Sequence, residues 1–152
     1  MSVSDKLKSL GIALPPVTPP VAAFVPYTIT GKLVFLSGTI ARKEGKPWVG
    51  KLGREIAVPE GKEAARAVAI ELMAALHHAT GGNLDRVKQI VKLLVLVNSD
   101  PGFTEPHLVA NGASELLKEV FGERGAHARS AVGMAQLPFG SCVEIEAIAE
   151  LE

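Results

Sequence analysis

Cysteine is almost missing from the chain: Cys142 stands alone in 152 residues, so no internal disulfide framework is possible and a packed core must hold the fold. Aromatic residues reach only 5%, with one Trp and one Tyr, too few for the rows of stacking rings that single-stranded nucleic-acid binders use. Net charge is missing as well. Sixteen Lys plus Arg balance sixteen Asp plus Glu, and at a sequence pI of 6.9 no overall field draws in phosphate backbones. No apolar run nears the roughly 20 residues that span a bilayer, and Lys6 and Lys8 have no apolar stretch behind them to make an export signal. The expectation is a cytoplasmic protein with neither nucleic acid nor membrane as partner.

Chemical motifs are equally scarce. No Ser-His-Asp order, glycine-rich phosphate loop, Cys-x-x-Cys pair or His-Glu-x-x-His occurs, so nucleophilic, nucleotide and zinc mechanisms lack support. His77-His78 is an adjacent pair, but neighbouring helical residues diverge by about 100° and do not converge on one ion. Neither metal nor cofactor is expected.

What is present is 47% hydrophobic and 21% charged, which fits one globular domain over residues 1–152. Residues 1–21 read as an N-terminal arm: a short helix over 2–10 with a serine cap and Gly11 as its stop, then a proline-rich extended run over 13–20. Residues 24–30 and 33–40 read as strands joined at Gly31-Lys32. The stretch 41–58 is a Gly- and Lys-rich excursion with one tryptophan, Trp48, which reads as a contact residue or a local anchor, ending in a strand at 55–58.

An alanine-rich helix follows from Pro59 to Thr80, with Ala65, Val68, Leu72 and Leu76 on one face and Gly81-Gly82 ending it. The β-branched and leucine run 87–98 reads as a buried, central strand. Thr104 caps a second helix running to Phe121, with Val109, Ala113, Leu116, Leu117 and Val120 as its apolar face. Asn111-Gly112 inside that helix is a local conflict, because the pair alone reads as a turn and Gly costs about 1 kcal/mol against Ala in mid-helix.

The last segment, 128–152, reads as two alternating strands around Leu137-Pro138-Phe139-Gly140, a four-residue hairpin connection with Gln136 opposite Ser141. That register puts Val132 and Met134 on one face with Val143, Ile145 and Ala147, and Arg129, Ala131 and Gly133 on the other with Glu144 and Glu146. Arg129 and Glu144 would then share a face about 13 Å apart, with room for a small anion and a water between them. The order strand, strand, strand, helix, strand, helix, strand, strand predicts an α+β fold: one mixed β-sheet with two helices packed on one face.

The pattern Ala128-Arg-Ser-x-Val, Leu137-Pro138 and Val143-Glu-Ile-Glu-Ala-Ile-Ala149 resembles the C-terminal signature of the Rid family (RidA/YjgF, the reactive intermediate deaminases, long labelled L-PSP endoribonucleases). Pro26-Tyr27 and Ser37-Gly38 resemble two further pairs of that family. The resemblance implies a chorismate mutase-like fold assembled as a homotrimer with clefts between subunits. It also implies hydrolysis of 2-aminoacrylate-type imines and enamines to 2-keto acids and ammonia.

Under that resemblance Arg129 holds the substrate carboxylate, Glu144 positions the water, and Tyr27, Ser37, Asn111 and Ala131 shape the cleft. The chemistry suits the residues, since an Arg fork binds a carboxylate bidentately and a Glu can activate water without a cofactor. One departure stands out: many members carry Cys where this chain has Ala131. A non-catalytic trimer that binds a carboxylated metabolite or a protein partner is the alternative.

Overall fold

The computed structural model describes residues 1–152. Helix α1 (Val3–Ser9) opens on Ser2, whose hydroxyl accepts the Asp5 amide at 3.0 Å, and it buries Val3 and Leu7. It is tied down where the Val3 amide donates to Asp85 Oδ1 at 3.0 Å. Strands β1 (Tyr27–Thr30) and β2 (Leu33–Ile40) pair antiparallel around Gly31-Lys32, as the sequence predicts.

A minor hairpin, β3 (Arg42–Lys43) with β4 (Lys46–Pro47), leads to Trp48. The Trp48 indole N–H donates to Glu60 Oε2 at 2.9 Å while Lys43 lies over its ring, so Trp48 is anchored locally. The strand expected at 55–58 is absent. Val58 instead starts helix α2 (Val58–Ala79), because Pro59 in the first turn presets helical φ and lacks only an amide that the first turn leaves unpaired.

Strand β5 (Val87–Asn98) follows, then helix α3 (Pro106–Phe121). The expected Thr104 cap is displaced by one residue: Glu105 occupies the N-cap position and Pro106 begins the helix. Strands β6 (Ala128–Met134) and β7 (Val143–Leu151) complete the chain.

The sheet has five strands in the order β1-β2-β7-β5-β6. The expected C-terminal hairpin does not form. β6 pairs parallel with β5, whereas β7 lies antiparallel between β2 and β5, so β5 separates the last two strands. Residues 135–142 easily cross the two strand spacings involved, about 10 Å. They form a short turn at Pro138–Gly140 and bind the tryptophan loop instead, with Cys142 N–H to the Trp48 carbonyl at 2.8 Å and Gly50 N–H to the Gly140 carbonyl at 3.1 Å.

This pairing reverses one face assignment. Arg129, Ala131 and Gly133 align with Leu93, Val95 and Val97, whose neighbours on the other side are Ala147, Ile145 and Val143. All six of those neighbours are buried under the helices. Val132 and Met134 instead share the helix-free face with Glu144 and Glu146 and are exposed there.

Helices α2 and α3 cover the other face with the apolar residues that the helical period selects: Ala65, Val68, Leu72 and Leu76, and Val109, Ala113, Leu116, Leu117 and Val120, are all buried. α1 packs beside α3 as a third helix. The Asn111-Gly112 conflict resolves at the helix crossing, where a Cβ on Gly112 would run into the Lys62 carbonyl of α2. Close backbone approach, not local propensity, selects the glycine.

The sign of a Gly112→Ala change tests this. Propensity alone would stabilise the helix by about 1 kcal/mol, whereas forcing the helices apart costs roughly 1–3 kcal/mol. Urea unfolding is expected to show a net loss, and a gain would contradict the close-approach argument.

Candidate functional site

The residues singled out by sequence fall into three groups at different places on the sheet. Arg129 and Asn111 do come together. The Arg129 Nη1 donates to Asn111 Oδ1 at 2.9 Å and to Ser114 Oγ at 3.1 Å, and Nη2 donates to the His107 carbonyl at 3.3 Å. Edge strand β6 presents the arginine toward α3, and Asn111 and Ser114, three residues apart, share the helix face that meets it.

Ser114 and His127 escaped the sequence reading. His127 Nδ1 lies 2.7 Å from the Gly125 carbonyl, which can only accept, so Nδ1 carries the proton and Nε2 accepts from the Ser114 hydroxyl at 2.8 Å. Burial first, and then the Arg129 charge, hold the His127 pKa below the usual histidine range, although the Gly125 bond opposes them. The signal that would have found the pair is spacing: Ser114 follows Asn111 by one helical turn, and His127 precedes Arg129 by one strand repeat.

A guanidinium has five N–H donors, and three are taken here. The two that remain, one on Nε and one on Nη2, equal the number a carboxylate accepts from an arginine. Arg129 enters no ion pair with the chain's own carboxylates.

Glu144 occupies the second place, half-buried in the middle of the helix-free face. A bulge in β2 sets Ser37 and Gly38 against Glu146, and a Cβ on Gly38 would collide with the Glu144 carboxylate. The Ser37-Gly38 pair therefore makes room for that side chain. Burial, and then the like charge of Glu146, push the Glu144 pKa above the usual carboxylate range. Ser37 itself ties the segment before β1, donating from Oγ to the Val25 carbonyl at 2.5 Å and from its amide to Pro26 at 2.9 Å.

Tyr27 occupies the third place, on the far edge strand β1, where its hydroxyl lies 2.6 Å from His78 Nδ1 of α2. His78 of the adjacent histidine pair is thus a partner of Tyr27. Tyr27 and Arg129 sit at opposite edges of the sheet, four strand spacings or about 19 Å apart. Ala131 is half-buried against the core beside Val95.

Residues 4–151 match the family described as YjgF/chorismate mutase-like, putative endoribonuclease. The chain belongs to this family. It is 48% identical over 151 residues to protein TCP17 of Trypanosoma cruzi, covering 98% of this chain and 94% of that protein. Among solved structures it resembles Atu1372 of Agrobacterium tumefaciens, a protein of unknown function, at 42% identity and a TM-score of 0.91, covering 99% of this chain and 94% of the other. It also resembles a Shewanella oneidensis protein described as a putative endoribonuclease, at 33% identity and a TM-score of 0.94, covering 99% and 100%. The YjgF/chorismate mutase-like fold expected from the C-terminal signature is therefore the fold of this chain. No helix is long and apolar enough to cross a membrane.

The raised Glu144 pKa has a stability consequence with a definite sign. A carboxyl whose folded pKa exceeds its unfolded value stabilises the fold while protonated, and that contribution is lost as pH rises through the folded pKa. Glu144→Gln, which mimics the protonated group, is expected to melt above wild type at pH 7.5, with the gap closing toward pH 4. A gap that is absent at pH 7.5, or the same at both pH values, would show that Glu144 is not held in this unfavourable setting.

Proposed function

We propose that the protein hydrolyses imines and enamines of the 2-aminoacrylate type to 2-keto acids and ammonia, in clefts formed between the subunits of a homotrimer. The observation that carries this reading is the Arg129 guanidinium, held by three hydrogen bonds with two N–H donors left as a carboxylate fork. The resemblance of the C-terminal segment to the Rid signature, which carries Arg129 and Glu144, supports the reading, and the chain belongs to that family over residues 4–151.

In this reading Arg129 grips the substrate carboxylate and Asn111 and Ser114 keep its plane fixed. The protonated imine carbon is already electrophilic, so the chemistry needed is water activation. Glu144 takes a proton from the attacking water, returns it to the nitrogen of the tetrahedral adduct, and takes up the hydroxyl proton as the carbonyl forms and ammonia leaves. A base with a raised pKa is suited to both steps. Tyr27 and Ser37 line the cleft, Tyr27 directly and Ser37 by fixing the chain before β1. Ala131 leaves the space that a cysteine fills in many relatives.

The intersubunit cleft is supported by the separation of the parts. Tyr27 and Arg129 lie at opposite edges of the helix-covered side of the sheet and Glu144 lies on the other face, so a site using all three needs a second copy to bring them together. The helix-free face offers the surface for it: Phe35, Val132 and Met134 are exposed there, with Leu94, Leu96 and Ile148 only partly covered. A ribonuclease reading finds less support, since Glu144 and Glu146 stand on that face where a phosphate backbone would need cations.

Arg129→Lys keeps the charge but loses the planar fork. Loss of one charge-assisted hydrogen bond costs roughly 1.5–3 kcal/mol, so kcat/KM for iminopyruvate hydrolysis is expected to fall about tenfold to more than a hundredfold. Arg129→Ala should fall at least as far. Ammonia release and melting temperature measured together separate lost chemistry from lost folding. Wild-type turnover in a well-folded Arg129→Ala protein would overturn the hydrolase reading, and a protein that binds carboxylates yet releases no ammonia would be a binding module.

A further inference from the structure

Beside Arg129, the crevice between α3 and β6 opens into a pocket of about 250 Å³ lined by Ser114, Lys118, Gly125, Ala126, His127 and Arg129. A water's share of liquid volume is roughly 30 Å³, so the space suits a small organic ion better than a single solvent molecule. Its charge has one sign. Arg129 and the exposed Lys118 both enter no ion pair, while Lys62, reaching α3 from α2, is matched by Glu115. No Asp or Glu lines the pocket. A concave surface with two unmatched cations concentrates anions.

The pocket is also well held. Gly125 packs where a Cβ would strike the Leu117 carbonyl of α3, which fixes the turn that carries His127. The His127 ring is pinned at both nitrogens, by Gly125 and Ser114, and Ser114 in turn accepts from Arg129. Only the Lys118 side chain is free to adapt. A ligand with one carboxylate satisfies the Arg129 fork and leaves the Lys118 ammonium unused, whereas a second carboxylate a few bonds away would meet it.

We propose that this pocket receives a distal carboxylate, so that the preferred ligands are dicarboxylates and the preferred substrates are imines of acidic amino acids, with Lys118 as the residue that sets the preference. The inference rests on the reading of Arg129 as a carboxylate clamp. It adds a specificity that neither the clamp nor the family membership supplies.

Calorimetry on the wild-type assembly compares glutarate with propanoate, stable probes that need no turnover. Glutarate is expected to bind about tenfold to a hundredfold more tightly, the range of one added charge-assisted hydrogen bond. Lys118→Met is expected to bring the ratio to about one at an unchanged melting temperature, since Lys118 is exposed. Equal affinities in the wild type, no measurable glutarate binding, or a preference that survives in Lys118→Met would each overturn the proposal. Ammonia release from iminopyruvate on the same wild-type preparation reports on the hydrolase reading separately. Release with equal affinities contradicts the pocket alone, and a glutarate preference without release supports the pocket and contradicts hydrolysis.

Discussion

Strand β5 is apolar toward both faces and carries a backbone ladder on both edges, and every other element takes its position from that demand. Its buried Leu93, Val95 and Val97 require the cover of α2 and α3, while Leu94 and Leu96 look out through the opposite face. A strand of this kind is costly at an edge, where half its amides and carbonyls would have no ladder partner. β7 satisfies one side antiparallel and β6 the other in parallel, and the loop over 135–142 is long enough to allow both.

The location of the site follows from the same arrangement. Placing β6 outside β5 makes it an edge strand, so Arg129 leans off the sheet onto α3 and keeps a free fork. Placing β7 inside brings Glu144 to the middle of the open face, beside the Gly38 bulge, where burial and then the Glu146 charge raise its proton affinity. Glu144 is held in a setting that a purely structural residue would avoid, a carboxylate partly withdrawn from water beside a like charge.

Much of this is legible in the residues. The helical period selects the buried faces of α2 and α3, Gly31-Lys32 marks the first hairpin, and the β-branched and leucine run of 87–98 points to a central strand. The family pattern places Asn111 near the cleft, and the structure puts it in direct contact with Arg129. What failed was parity in the last two strands. Apolar side chains were assigned to the helix side, but Val132 and Met134 point away from the helices, and the short alternating run of β6 fits either face. A central β5 needs two partners, and that requirement was the clue against pairing β6 with β7. Val58 was misread for a different reason, because the four residues before Pro59 favour a strand locally and the proline captures the last of them into α2. Ser114 and His127 belong to no motif; their spacing from Asn111 and Arg129 is their one mark in the sequence, and the fold brings them together.

The proposed cleft is built by two copies of the chain, with Tyr27 from one and Arg129 from the other. Co-expression of Arg129→Ala and Tyr27→Ala chains with different tags, followed by isolation through both tags, tests it directly. Each variant alone is expected to be inactive toward iminopyruvate. The mixed assemblies are expected to recover part of the ammonia release, because some interfaces join an intact Tyr27 to an intact Arg129. Mixed assemblies as inactive as their parents would contradict a shared cleft.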